Sequence, residues 1–375
     1  MISEIRVRNF KCFAALDLPL APLTLLTGVN NTGKSTVLQS LLLLRQSHLA
    51  GEIERDGLAL NGDLVRLGTA DMLVREDETR MELGLDWSDG ATVGFAYEVK
   101  TDLRGALRES RSTKDPVSLL ASVSRPDRKH YESRTPFTAC RYVSADRTGP
   151  RAAFSTSEAV VVGARDVGAT GEFAAHYLFH YGGAQANVDV HHPSAATRML
   201  RHEVEAWLGL LSSDVQVLAE LYEALDVCGL TFTFPGGQAG RTKPQRSTHV
   251  GFGLTYMLPI LVAILSANPG DLVMIENPEA HLHPRAQREI AQLLARAAGG
   301  GVQVLVETHS DHVLNGIRFA VKKGTLGPRD VRVHFFTPTE PRLVSPEIQA
   351  DGSIHEWPSG FFDEWDLALD ELLQG

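Results

Sequence analysis

Apolar Ile5 and Val7 alternate with Arg6 and Arg8, the period-two signal of a strand with one buried face. The same alternation returns at Met81, Leu83, Leu85 and Trp87, and again at Val93, Phe95, Tyr97 and Val99. Ser88-Asp89-Gly90 separates the two runs, so an antiparallel hairpin is predicted. Leu23 to Thr27, Leu272 to Ile275 and Val302 to Val306 are instead short apolar runs, as expected of strands covered on both faces. Tyr142-Val143 predicts one more strand. Helical spacing appears over Thr36 to Gln46, Thr255 to Leu265 and Ala286 to Ala298. The last of these lies between two buried runs and predicts a strand–helix–strand unit with parallel strands. Between Ser155 and Asp226 the segments GEFAAHYLFHY and TRMLRHEVEAWLGLL carry helix-spaced apolar residues, which predicts a helical insertion, and GLTFTF then predicts a strand. In the tail, Phe361, Phe362, Trp365, Leu369, Leu372 and Leu373 share one helical face, with Asp363, Glu364, Asp366, Asp370 and Glu371 around the rest. Such a helix is expected to dock on its own domain, with engagement of a partner as the alternative.

Composition narrows the class. The chain has 375 residues with 43% apolar and 22% charged, a globular balance sufficient for one large domain or two ordinary ones. Cys12, Cys140 and Cys228 are far apart and fit a reducing compartment better than a disulfide framework. The start, MISEIRVRNF, has no signal-peptide core, and the longest apolar run, Met257 to Leu265, is too short to span a bilayer. A cytoplasmic protein without membrane contact is expected. A net charge of −10 argues against a general nucleic-acid coat. DNA contact through a local basic groove would have to use Arg125 to Arg134 or Arg241 to Arg246, stretches that read more readily as solvated loops.

The chemistry begins at Gly28 to Ser35, which fits G-x-x-x-x-G-K-S between a predicted strand and a predicted helix. Glycines at both ends let backbone N–H groups curl around phosphate oxygens, and the helix N-terminus adds partial positive charge. Asn30, Asn31, Thr32, Gly33 and Thr36 complete the cradle, Lys34 is placed for the β- and γ-phosphates, and the Ser35 hydroxyl for Mg²⁺. ATP with Mg²⁺ is therefore the expected ligand. An acid on a neighbouring strand should hold the metal shell, and Glu276, at the end of the run Leu272 to Ile275, is the candidate. His309 follows the next buried run and is placed to sense the γ-phosphate. Glu279, His281 and His283 crowd one stretch, but zinc takes three or four ligands in a set geometry, and a metal site there is not expected.

Together, IRVRNFKCF, GVNNTGKST, YVSADRTGPR, HVGFGLTYMLPIL, IENPEAHLHP and ETHSDHVL resemble the ABC-type ATPase heads of the SMC/Rad50/RecF class. Within it the chain is most similar to small OLD-like AAA ATPases of bacterial and phage-defence gene clusters. The tail WPSGFFDE resembles a C-terminal module of unknown function in the same group. The resemblance implies an α/β fold, a P-loop NTPase head with a mixed sheet, an N-terminal antiparallel part and a helical insertion. The implied divisions are 1–150, 151–235, 236–340 and a tail over 341–375. It further implies a homodimer that sandwiches ATP, with the segment holding Gly251, Gly253 and Thr255 offered to the nucleotide of the opposite subunit. Tyr256 departs from the Gln expected beside the signature hydroxyl.

In ABC ATPases the residue after the metal acid is a glutamate that polarises the attacking water, and here it is Asn277. An amide orients water but does not take its proton. Loss of a general base slows such reactions by about 10²–10⁴, so slow hydrolysis is expected unless Glu279 or His309 substitutes. The leading expectation is a slowly hydrolysing switch that controls a separate effector in anti-phage defence, since no carboxylate cluster remains for a nuclease. The alternatives are a DNA repair or recombination ATPase that acts on DNA directly, and an ATP-dependent scaffold without turnover.

Overall fold

In the computed structural model the chain is described over residues 1–55, 57–75, 78–99, 120–124, 126–186, 190–236, 240–340 and 342–374. It forms two compact units. One comprises Met1–Ala21 and Val29–Cys140, the other Pro22–Gly28 and Arg141–Gly375.

The first unit is built on β1 (Ile2–Phe10) and β2 (Phe13–Pro19), with β3 (Leu23–Gly28) passing into the other unit. Helix α1 (Lys34–Leu49) follows, then β4 (Arg80–Trp87), β5 (Thr92–Val99) and β6 (Leu120–Ser124). The strands make one antiparallel sheet in the order β2-β1-β4-β5-β6. Its register aligns Leu16, Val7, Leu83 and Phe95 in one row and Leu18, Ile5, Leu85 and Val93 in the next, all buried. These cross-strand rows are what the alternation foretells. Arg6 and Arg8, on the other face, pair with Asp86 at 2.8 Å and Asp17 at 2.7 Å. The predicted turn is present, with Gly90 at φ 85° and the Asp89 carboxylate accepting from the Ala91 N–H.

The second unit carries a six-stranded sheet in the order β15-β14-β3-β13-β12-β7. Its members are β7 (Cys140–Val143), β12 (Leu272–Glu276), β13 (Gln303–Glu307), β14 (Val331–Phe336) and β15 (Leu343–Val344), together with β3. Strands β14, β3, β13 and β12 run parallel, and β15 is antiparallel to β14, which makes the sheet mixed. The strand–helix–strand unit is β12, α5 (Pro284–Gly299) and β13, followed by α6 (Asp311–Lys322). Helix α4 (Phe252–Leu265) precedes it and is buried over most of its length. Residues 155–226 supply α2 (Ala174–Tyr181) and α3 (Leu200–Leu208), as the helical spacing predicts. They also supply β9 (Gln216–Tyr222), which hairpins with β10 (Val227–Thr233) and which the pattern did not reveal. Two-residue strands β8 (Phe154–Ser155) and β11 (Gln245–Arg246) complete that second sheet. Helix α7 (Glu364–Gln374) ends the chain. No helix among the described residues is long and apolar enough to cross a membrane.

Helix α4 contains Pro259, which removes one helix hydrogen bond and is normally unfavourable inside a helix. Gly171 lies against it. A Cβ there would fall 2.3 Å from Pro259 Cβ, and Gly171 has φ 71°. Gly171→Val is expected to lower stability by about 1–3 kcal/mol through overpacking, plus left-handed strain. The midpoint of urea unfolding checks this; an unchanged midpoint would mean that the α4 contact yields freely.

Candidate functional site

The candidate phosphate loop leaves the parallel sheet at Gly28, the last residue of β3. Gly28 has φ 130°, and a Cβ there would sit 2.1 Å from the Phe336 carbonyl oxygen, so only glycine fits between the strand end and β14. In the first unit, Gly33 (φ 107°) closes the loop as the residue before α1; a Cβ there would lie 2.4 Å from the Phe13 ring. Asn31 is left-handed at φ 65°, a conformation asparagine tolerates. Lys34 Nζ donates to the Val29 carbonyl at 2.7 Å, and so does the Thr32 hydroxyl at 2.7 Å. The loop is thus drawn into a ring with Val29, Asn30 and Asn31 exposed on its rim. The first turn of α1 has no acidic residue, leaving its N-terminal N–H groups and dipole for an anion. This cradle fits a polyphosphate, and Ser35, in the same turn, can supply a hydroxyl to a hydrated divalent ion.

Strands β3, β13 and β12 are adjacent and parallel, with Glu276 in register with Glu307 and Glu307 with Leu26. Gly28, Glu307 and Glu276 therefore end at one edge of the sheet, the edge where open α/β sheets bind ligands. Glu276 is firmly held. Its Oε1 accepts from the Tyr142 hydroxyl at 2.9 Å and its Oε2 from the Ala145 N–H at 3.0 Å. A carboxylate has about four acceptor sites, so capacity for a metal ion or its water remains. Burial, with the Glu276 charge beside it, pushes the Tyr142 phenol upward and keeps it a neutral donor.

Arg147 organises the turn after β12. Its Nη1 donates to the carbonyls of Ser144 (3.1 Å) and Glu276 (2.7 Å), and its Nη2 to that of Asn277 (2.7 Å). Burial lowers its pKa to about 10, with Glu279, Tyr256 and Glu276 opposing the shift, so it stays charged at neutral pH. The guanidinium also lies 5.7 Å from the Tyr256 ring, which packs tilted against His281 with ring centroids 4.4 Å apart. Sequence reasoning assigned no role to Tyr142 or Arg147. The only local signal was their place in YVSADRTGPR, because both bond to residues far along the chain.

Asn277 follows Glu276 at φ 43°, and its buried Oδ1 finds no hydrogen-bond partner among the described residues. The Glu279 carboxylate accepts from the Thr308 hydroxyl and the His309 N–H, each at 2.8 Å, and so ties the turn after β12 to the turn after β13. The His309 side chain is exposed just past β13, and Ser310 caps α6 by accepting from the Val313 N–H. Glu279, His281 and His283 do not converge, since His281 lies on Tyr256 and His283 accepts from the Arg285 N–H at the start of α5. No group of three metal-ligating side chains occurs among the described residues.

At the other candidate segment, Gly251 is the N-cap of α4, and Gly253 lies in its first turn, where a Cβ would come 3.1 Å from the His281 carbonyl. The Thr255 side chain is buried and its hydroxyl donates to the Phe252 carbonyl at 2.9 Å. What this helix start leaves outward is backbone N–H and the exposed Phe252.

The basic stretches are largely paired within themselves. Arg128 bonds Glu132, Lys129 bonds Asp127 and Arg134 bonds Asp89, while Arg125 lies outside the described residues. Arg241 donates to the carbonyls of Asp214 and Thr233.

Solved structures share the fold across nearly the whole chain. An SMC head bound to the C-winged helix domain of ScpA matches 93% of this chain and 98% of its own at TM-score 0.50 and 12% identity. An Smc head with an extended coiled coil, bound to the C-terminal domain of ScpA derived from Pyrococcus furiosus, matches 100% and 99% at TM-score 0.51 and 12% identity. The head-type α/β fold that the resemblance implied is therefore the observed one. Among curated proteins, an OLD nuclease of Thermus scotoductus is 43% identical over 44 residues, a match spanning 12% of this chain and 8% of that protein. Residues 326–372 match a family described as a protein of unknown function (DUF3696). Residues 23–315, most of the chain and the whole stretch from β3 to α6, match one ATPase-type family, and the chain belongs to it: the AAA domain family described as putative AbiEii toxin, type IV TA system.

Proposed function

We propose that this chain is a switch ATPase that closes two copies around ATP, hydrolyses it slowly, and thereby controls a separate effector in anti-phage defence. The observation that carries the reading is the shared sheet edge, where the strand feeding the phosphate loop, the anchored Glu276 and the turn bearing His309 end side by side. Lys34 and the loop N–H groups bind the phosphates, while Ser35 and Glu276 hold Mg²⁺ and its waters. The ion, when bound, neutralises charge on the β- and γ-phosphates. Asn277 orients the attacking water without taking its proton, and His309 reports on the γ-phosphate. Gly251 and Gly253 present N–H groups at the start of α4 to the nucleotide on the opposite copy. Thr255 contributes through the helix backbone, its hydroxyl being committed to Phe252. Direct action on DNA is less well supported, because Arg128, Lys129 and Arg134 of the first candidate stretch are each paired with a carboxylate and the chain carries a net charge of −10.

The closure is tested in trans. One copy carries Val29→Cys and the other Phe252→Cys, both exposed positions, in a Cys12→Ser background. A bismaleimide is expected to link the two copies only with Mg²⁺ and a non-hydrolysable ATP analogue. Analogue binding without any crosslink would overturn the sandwich.

A further inference from the structure

The tail is anchored by aromatics and then exposes residues 368–373. Phe361 is fully buried, 5.1 Å from the Phe335 ring and 4.9 Å from Trp357, and Arg318 stacks on Trp357 at 5.5 Å. Beyond this anchor, α7 exposes Leu372 (80%) and Leu373 (76%), with Leu369 on the same face at helical spacing. Asp370 and Glu371 beside them are exposed too, and α7 contains no basic residue. Three exposed leucines on one short helix are an apolar face without a cover.

The second unit also carries a surface of complementary character along α5 and α6. Phe319 projects from α6 at 45% exposure, with the Arg288 guanidinium 5.8 Å from its ring. Two hollows meet at Asn315. One, of about 390 Å³, is lined by Pro284, Arg285, Arg288 and His312, and the other, of about 370 Å³, by Arg318, Phe319, Lys322 and the turn 351–353. Asp351 is the acid in this lining, against Arg285, Arg288, Arg318 and Lys322, so the groove is net basic around an apolar centre. Arg288 also touches Glu289 at 3.3 Å on its solvent side. The lengths agree, since α6 has 12 residues and α7 has 11, about 18 and 16 Å of helix.

We propose that α7 of one copy docks in the α5–α6 groove of a second copy, its leucines on Phe319 and its acids against Arg285, Arg288 and Lys322. The occupant is a second copy because both halves of the contact lie on this chain: Leu369, Leu372 and Leu373 of α7 are exposed, and so are Arg285, Phe319 and Lys322 of the groove, while Arg318 is already held by Gly352 and Asn315. A two-fold exchange covers both helices at once and closes the assembly, whereas a one-way contact would build an open filament. Charge complementarity matters here because the chain carries a net −10 and two copies otherwise repel. This pairing needs no nucleotide, which separates it from the ATP sandwich.

The test is run without nucleotide. Analytical ultracentrifugation of the full chain is expected to show a dimer, and Leu372→Asp with Leu373→Asp to weaken self-association at least about tenfold. Both leucines are exposed, so folding is not at stake. Glu371→Arg is expected to weaken the dimer, and combining it with Arg288→Glu to restore part of it. In a Cys12→Ser background, mixing copies that carry Leu372→Cys with copies that carry Phe319→Cys should give an intermolecular disulfide. A monomeric native chain would overturn the proposal, as would a dimer indifferent to the leucine changes. A disulfide formed only when both cysteines are on one chain would equally overturn it in favour of docking in cis.

Discussion

Lys34→Ala is expected to weaken ATP binding by about 100-fold or more while the fold survives. Hydrogen bonds to charged groups contribute about 1.5–3 kcal/mol each, and an ammonium on two phosphates makes more than one. In the structure Lys34 Nζ rests on the Val29 carbonyl, inside the loop it is expected to serve. To reach phosphate oxygens the ammonium has to leave that carbonyl. Alanine removes that contact and the charge, and leaves Gly28 and Gly33, which shape the loop, untouched. Isothermal titration with Mg-ATP reads the effect, with circular dichroism as the check on folding. Undiminished affinity in a folded variant would show that the phosphate loop is a structural turn.

Opposite changes in turnover are expected at Glu276, which ends β12, and at Asn277, which follows it. Glu276→Gln should lower phosphate release by about 10²-fold or more, because an amide holds a hydrated divalent ion far less well than a carboxylate. It also loses the charge that Tyr142 and the Ala145 N–H now hold in place. Asn277→Asp should raise turnover by about tenfold or more by restoring a group that accepts the proton of the attacking water. Aspartate is the better probe than glutamate, because residue 277 is left-handed at φ 43°, where Asn and Asp are tolerated and longer side chains are strained. Steady-state phosphate release at saturating Mg-ATP decides the matter. If Asn277→Asp binds ATP normally yet turns over no faster, the base lies elsewhere. Glu279 is then a poor substitute, both of its oxygens being engaged by Thr308 and His309, and the exposed His309 ring becomes the next residue to change.

The features legible in the sequence are those fixed by near neighbours. The phosphate loop is a run of eight covalently linked residues, Gly28 to Ser35, and the hairpin of β4 and β5 announces itself by alternation. The strand–helix–strand of β12, α5 and β13 followed from two apolar runs around one amphipathic helix. Strand β14 went unread because its sequence, VRVHFF, interrupts the apolar run with Arg332 and His334. The latter is fully buried and bonded to Ser345 at 2.8 Å, a partner that no local pattern discloses. Strand β9 was lost inside the helical insertion because QVLAELY is apolar on both sides, with Leu218 and Tyr222 exposed. The three carbonyls gathered by Arg147 belong to the same class, since two of them come from the far end of β12. For the tail, the amphipathic pattern favours a helix docked on its own domain; the helix is present but begins at Glu364, after Phe361 and Phe362, and Leu369, Leu372 and Leu373 stand exposed, since spacing alone does not say what covers a face.

The seven residues Pro22–Gly28 lie between two pieces of the first unit yet belong to the second. Strand β3 finds its partners only in β13 and β14, which end at Glu307 and Phe336. On the ribosome, β3 emerges long before either partner exists, and at about 5–20 residues per second the wait is on the order of tens of seconds. Throughout that interval an apolar strand, LTLLTG, is exposed to solvent and to chaperones, and the loop after it has no anchored start. A nascent chain interrupted before Phe336 would hold the complete phosphate-loop sequence and still be unable to seat Gly28. The seating of Gly28 is thereby deferred until β14 has been made.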